Sequence, residues 1–547
     1  MKYFKKITSY SFLLASVLLL LSSCSTKPSI DLLVKNGHIQ TVDSLMQEFS
    51  CMAIRDGKIV ALGGNELKEK YRSDSVFDVG GAFIYPGFID AHAHFYGLGL
   101  TTQRVDLVGT RSWEEVLERC KIFVETHHPQ TLTGRGWDQN DWEVKTYPDN
   151  AALNRLFPDI PVLLKRVDGH AAIANEQALQ LSGITPQSVI DGGEILTVNG
   201  KLTGVLIDNA VDEVQSKLPQ PSVSERTTAL LQAQALCFAT GLTSVCDAGL
   251  ESEIIEQIDS LQQAGILQMR IDAMVSISDK NLDTWLARAP IQTDHLRVAS
   301  FKMYADGALG SRGACLLEPY LDQPGHQGFL LTPPAIIHEY IKRVAASDYQ
   351  LNTHCIGDSA NRFLLHAYGK ALGLKSNRRW RIEHAQVLNP GDFPLFNAYG
   401  IIPSVQPTHA TSDMYWAGDR IGKERLKGAY AYKLLMDQHG WIPLGTDFPV
   451  EEVNPLYTFY SAIARKDATG FPENGFQPQH ALSREQALSG ITIWAAKASF
   501  EENKKGSLEA GKLADFVVMK ENLLSENLEV IRNAKIEGVY LGGKRVY

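Results

Sequence analysis

Residues 84–95 read IYPGFIDAHAHF, an apolar, β-prone run that ends on two histidines two positions apart. Alternate side chains of a strand share a face, so His92 and His94 aim their imidazoles at one point, as a metal ion requires. Taken alone, the pair reads equally well as two ordinary polar residues. Seven further segments of similar character follow: GLTSVCDAG (241–249), QMRIDAMVS (268–276), VASFKMYADG (298–307), YQLNTHCIGD (349–358), RWRIEHAQVL (379–388), GIIPSVQP (400–407) and WIPLGTDFPV (441–450). Most gaps after the second segment hold a helical-period stretch such as ANRFLLHAYGKALG (360–373). Strands alternating with helices predict an α/β protein with a parallel sheet. Eight such strands predict closure into a TIM-type (β/α)8 barrel.

Barrel enzymes carry their catalytic groups at the C-terminal ends of the strands. His354 ends the fifth candidate strand, His384 the sixth and Asp447 the eighth, while Lys302 lies in the fourth. Each has a bland alternative: a satisfied core histidine, an aspartate N-cap, a solvated lysine. With His92 and His94 they make six polar groups in strand order on one barrel face, an arrangement that chance explains poorly.

The 547 residues exceed the roughly 250 of a single barrel, and the excess has identifiable places. The first gap, 96–224, is far longer than a strand-to-helix connection needs. It reads as an inserted α/β subdomain that caps the mouth of a barrel spanning 86–504. Its segments GRGWDQNDW (134–142) and VDGHAAIANEQAL (167–179) offer Trp137 and His170 as substrate contacts, with structural roles as the alternative. Residues 30–85 carry hairpin signals, Asn36-Gly37 and Asp56-Gly57 between short β-prone runs. Residues 505–547 repeat that style, so the two chain ends are expected to pair as one composite β-sandwich.

Residues 1–24 have the layout of an export signal: Lys2, Lys5 and Lys6, an apolar run from Phe12 to Leu21, then Leu21-Ser22-Ser23-Cys24. The run is short for a bilayer span. Its end resembles a bacterial lipobox, which implies a lipid-modified Cys24 and an exported, membrane-anchored protein of the periplasm or cell surface. A plain signal peptide is the alternative. The six other cysteines are scattered and form no CxxC pair, so buried free thiols are expected. A formal net charge of −9 gives no footprint for nucleic acid.

Read as a set, PGFIDAHAHF (86–95), FKMYADGALGSRGA (301–314), LNTHCIGDSAN (351–361), RIEHAQ (381–386) and PLGTDFPV (443–450) resemble the amidohydrolase superfamily. The nearest branch is that of the N-substituted formamide deformylases. The resemblance implies two divalent metal ions, zinc first, with manganese, iron or nickel as alternatives. By position, His92, His94 and Asp447 would hold one ion and His354 and His384 the other. Lys302, carboxylated on its amine, would bridge both together with a hydroxide, and Asp447 would shuttle the proton. Asp306 and Arg312 would hold a substrate carboxylate, orient Lys302, or only build their loop; His409 would join the pocket rim. Cys355 directly follows His354 and is expected to face away. The implied reaction is hydrolysis of a non-peptide C–N bond in a small amide or formamide. A deaminase or a cyclic-amide or imidazolone hydrolase is the alternative within enzymes. A non-catalytic lipoprotein that captures a solute or metal is the alternative outside them. The substrate is not legible, and a homodimer is left open.

Overall fold

The computed structural model describes residues 27–547; the candidate export signal and the candidate lipidation site Cys24 lie outside the described residues. Seven parallel strands form the barrel wall in chain order: Phe88–Ala93, Leu242–Leu250, Arg270–Ser276, Leu296–Tyr304, Gln350–Cys355, Arg381–His384 and Ile402–Ser404. Each pairs in parallel with the next. Strands covered on both faces need near-continuous apolar sequence, and FIDAHA is buried at every position. Helices pack outside; the one before the second strand, Val223–Ala239, starts at a capping box in which Ser222 and Glu225 satisfy each other's backbone amides.

The eighth candidate departs from expectation, because residues 441–450 form no regular strand. The segment nonetheless stands in the eighth position. Val405 N–H bonds Pro443 O (3.2 Å) and Gly445 N–H bonds Val405 O (3.0 Å) on one side. Ala91 N–H bonds Leu444 O (3.2 Å) and Asp447 N–H bonds His92 O (2.8 Å) on the other. The barrel is thus nearly closed by isolated bonds rather than a ladder. Gly445 permits this approach: a Cβ there would lie 2.6 Å from His92 N and 2.8 Å from Asp90 Oδ1, closer than packed atoms tolerate.

Between the helix Phe95–Thr101 and Val223–Ala239 the chain builds a separate six-stranded sheet. Its spatial order is Val105–Asp106, Leu132–Trp137, Val162–Arg166, Ala171–Ala174, Lys201–Asp208 and Gly193–Val198. It has apolar packing of its own on both faces, around Val116, Trp137 and Ile173 on one and Leu163, Leu206 and Val211 on the other. At the chain ends, Phe83–Pro86 lies between His38–Gln40 and the C-terminal strand Phe516–Met519 in one six-stranded sheet. Met52 and Ile54 of a neighbouring four-stranded sheet pack against Ile84 and Phe516. Arg270 of the third barrel strand bonds Asp515 through Nε (2.6 Å) and Nη2 (2.9 Å), fastening the C-terminal segment to the barrel. Cys51, Cys120, Cys237, Cys246, Cys315 and Cys355 are unpaired thiols, all but Cys315 fully buried.

Candidate metal centre

The structure brings all six strand-end groups to one barrel mouth. One ligand atom each of His92, His384 and Asp447 lie within 4.8 Å of one another. Asp447 Oδ1 is 3.1 Å from His94 Nε2 and 3.5 Å from His92 Nε2. Lys302 Nζ is 3.2 Å from His92 Nε2, and the His354 ring stands 4.6 Å from that of His384. Two of these positions have backbone that ordinary residues avoid: His384 has φ +73° and Asp447 φ +64°. Left-handed conformations at non-glycine residues store strain and gather at functional sites. Here they turn the two side chains into the mouth just past the strand ends.

Two of the buried imidazoles have Nδ1 committed: His92 Nδ1 is 2.6 Å from Glu383 Oε2, and His384 Nδ1 is 2.7 Å from Gln406 Oε1. An acceptor at Nδ1 fixes the tautomer and presents Nε2 as a ligand. His354 Nε2 is buried with no hydrogen-bond partner, and Asp447 Oδ1 is buried facing only the imidazoles of His94 and His92, a costly arrangement unless a cation sits between such atoms. Burial, aided by neighbouring Lys302, drives the His92 ring down to about 4, and burial likewise holds His354 and His384 well below their ordinary value. The rings are therefore neutral, the form that ligates. Burial brings the Lys302 ammonium down to about 8. Burial opposes ionisation of Asp447, but His94, His92 and His384 keep its carboxylate well below the usual range. Nitrogen and oxygen donors without thiolate, with orphaned buried atoms among them, fit one or more divalent ions.

The second-tier candidates separate. A cavity of about 1270 Å³ opens onto Lys302, His354, His384 and Asp447, and His170 and His409 also line it. His409 Nε2 is 3.6 Å from Asp447 Oδ2 and has no hydrogen-bond partner. His170 Nδ1 is 2.7 Å from Asp208 Oδ1. Trp137, Asp306 and Arg312 are elsewhere. Trp137 is fully buried inside the inserted sheet's core, its indole N–H donating to Leu164 O at 2.8 Å. Asp306 spends both carboxylate oxygens on the backbone N–H groups of Cys315, Ile356 and Gly357, locking the loop after the fourth strand to the end of the fifth. Arg312 pairs with Asp322 at 2.9 Å. Of the readings open for Asp306, loop building is the one its bonds support. Cys355 points into the apolar core, as its alternation with His354 requires.

Glu383 escaped the sequence reading. It precedes His384, and strict strand alternation would turn it away from the site. It is fully buried between His92 Nδ1 and the Arg381 guanidinium, which lies 2.5 Å from Oε1. Burial alone would favour the neutral acid, but Arg381 and His92 hold Glu383 well below the carboxylate range. Glu383→Gln keeps the shape and removes the charge that orients His92. It should weaken metal binding about 10–100-fold, read by competition against a chromogenic chelator; unchanged affinity would remove Glu383 from the centre's support.

Residues 75–547 match the amidohydrolase family, Amidohydro_3. The chain is 32% identical over 540 residues to the Arabidopsis thaliana protein LONG AFTER FAR-RED 3, covering 94% of this chain and 91% of that one. It is 26% identical to an N-substituted formamide deformylase of Arthrobacter pascens, over 94% of this chain and 97% of that one. Among solved structures, an uncharacterized metal-dependent hydrolase from Pyrococcus horikoshii superposes with a TM-score of 0.77 at 26% identity, over 91% of this chain and 99% of the other. With a family match over most of its length and an intact cluster of ligand-type side chains at the barrel mouth, this chain belongs to the amidohydrolase family.

Proposed function

We propose that the protein hydrolyses a C–N bond of amide or formamide type in a small molecule. The observation that carries this reading is the buried His92–His384–Asp447 cluster beside Lys302, with His354 Nε2 buried near it and without a hydrogen-bond partner. The similarity to an N-substituted formamide deformylase over nearly the whole of both chains supports the amide class. In this reading His92, His94 and Asp447 would hold one divalent ion, zinc by preference, and His354 and His384 a second. Lys302, once carboxylated on its amine by carbon dioxide with loss of a proton, would supply the centre with anionic oxygen donors. Bound at this place, divalent ions lower the pKa of the attacking water and polarise the scissile carbonyl. Asp447 accepts the water's proton and delivers it to the leaving nitrogen. His409, with Nε2 free beside Asp447 Oδ2, is placed to hydrogen-bond the substrate as charge builds on its oxygen. The inserted unit excludes water above the cavity, and Cys24 carries the lipid that anchors the exported enzyme.

The protein, purified with zinc, should hold stoichiometric metal and turn over members of a panel of N-formyl and N-acetyl amines, read by release of the free amine. Tight metal binding without turnover of any amide would favour solute or metal capture instead. Ammonia release from aminopurines would favour a deaminase.

A further inference from the structure

We propose that the inserted unit carries an anion subsite, formed by Arg104, Arg135 and Lys165, which selects amide substrates bearing a carboxylate or phosphate group away from the scissile bond. This rests on the hydrolase reading above and adds a substrate class to it. All three side chains line the same cavity as His354, His384 and Asp447. Arg135 and Lys165 are direct register partners on adjacent parallel strands, so they project side by side from one face of the sheet. Like charges placed opposite each other destabilise a strand pair.

Other charges of the insertion that line the cavity are paired: Arg166 with Asp138 and Asp168, each at 2.5 Å, and His170 with Asp208 at 2.7 Å. Among the described residues, no carboxylate forms an ion pair with Arg104, Arg135 or Lys165. Asp106, the register neighbour of Arg135 on its other side, gives its Oδ1 to Val108 N–H. Asp212 eases the charge on Lys165 without a salt bridge to it. Arg135 and Lys165 thus stand side by side, with Arg104 on the same cavity wall. Burial first, then Arg135, lowers Arg104 to about 10; burial first, with Arg104 and Arg135 adding to it against Asp212, brings Lys165 down to about 8.

The cluster is also held in place. Arg135 donates Nε (3.2 Å) and Nη2 (2.9 Å) to Val167 O, leaving Nη1 uncommitted. Gly169, at φ +78°, lets the guanidinium lie against the chain, since a Cβ there would be 3.3 Å from Nη2. Half-buried like charges fixed without a counter-ion cost stability, and a bound oxyanion would relieve that cost through charge-assisted hydrogen bonds. Arg104, Arg135 and Lys165 share one cavity with Lys302, His354 and Asp447, so both places are open to a single bound molecule.

The test uses the zinc-loaded full chain and a series of N-formyl-ω-amino acids of increasing chain length, each matched with its uncharged ω-carboxamide. A parallel pair, N-formyl phosphoethanolamine and N-formyl ethanolamine, tells a phosphate preference from a carboxylate one. The wild type should favour the acid over its matched amide by about tenfold or more in kcat/KM at one chain length. Arg104→Gln and Lys165→Met should each collapse that ratio toward one. A ratio near one in the wild type, or one unchanged in both variants, overturns the subsite; a variant that merely loosens the fold lowers both members of a pair together. Should no amide be turned over, the hydrolase reading fails separately, and calorimetric titration of the zinc-loaded protein with glutarate and inorganic phosphate decides the subsite. Weaker binding in both variants supports it, and equal binding overturns it.

Discussion

Lys302→Ala should strip the centre of metal and abolish hydrolysis, and short-chain carboxylic acids should restore part of both. Lys302 lies two residues before the end of the fourth barrel strand and is buried, with Nζ 3.2 Å from His92 Nε2. An ammonium is all donors and cannot ligate a cation, whereas the carbamate proposed for Lys302 supplies two oxygens; alanine supplies none and leaves a void of matching shape. The loss of affinity should exceed the roughly 10–100-fold typical of a group that only supports a ligand, because the role proposed for Lys302 is that of a ligand itself. Metal content after dialysis and turnover on N-formyl amines, each with and without acetate or propionate, read the result. The acids separate a missing oxygen donor from a damaged fold, since a misfolded variant gains nothing from them. Full metal and full activity in the variant would rule out the bridging role.

How legible the molecule was in its sequence depended on whether local periodicity reported the geometry. The first seven barrel strands could be read because buried parallel strands leave near-continuous apolar runs, each ending in a polar residue that has no place in a core. The eighth could be located but not described. Its Leu-Gly-Thr-Asp run closes the barrel through isolated bonds, and only the near-contact of Gly445 with His92 N explains the glycine. Glu383 was hidden for a related reason. Alternation fails where the backbone turns left-handed at His384 and Ala385 (φ +42°), so consecutive residues serve the same ring cluster. Trp137 was open to a substrate contact or a structural role, and only the folded sheet decides between them, because its indole N–H reaches Leu164 O inside that sheet. The cation cluster on the insertion could not be read at all. Arg104, Arg135 and Lys165 come from separate segments whose register only the folded sheet sets.

Asp447→Asn should leave the fold intact and reduce turnover by about 10²–10⁴-fold, the usual contribution of a positioned proton-transfer group. The substitution is a clean one for a structural reason. Asp447 sits at φ +64°, a conformation that asparagine adopts nearly as readily as aspartate and that most other residues resist. Its backbone N–H, which holds the closing segment to His92 O at 2.8 Å, is unaffected. The amide keeps an oxygen that can face an ion but cannot accept and return a proton. Thermal melting should therefore match the wild type while kcat falls. The metal content of the same sample then divides the residue's two proposed roles. Metal retained with turnover lost assigns Asp447 to proton transfer; metal and turnover lost together assign it chiefly to ligation. Unimpaired turnover would mean that neither role belongs to Asp447, and that the general base must be sought among the other groups on the cavity wall, such as His409, whose Nε2 lies 3.6 Å from Asp447 Oδ2.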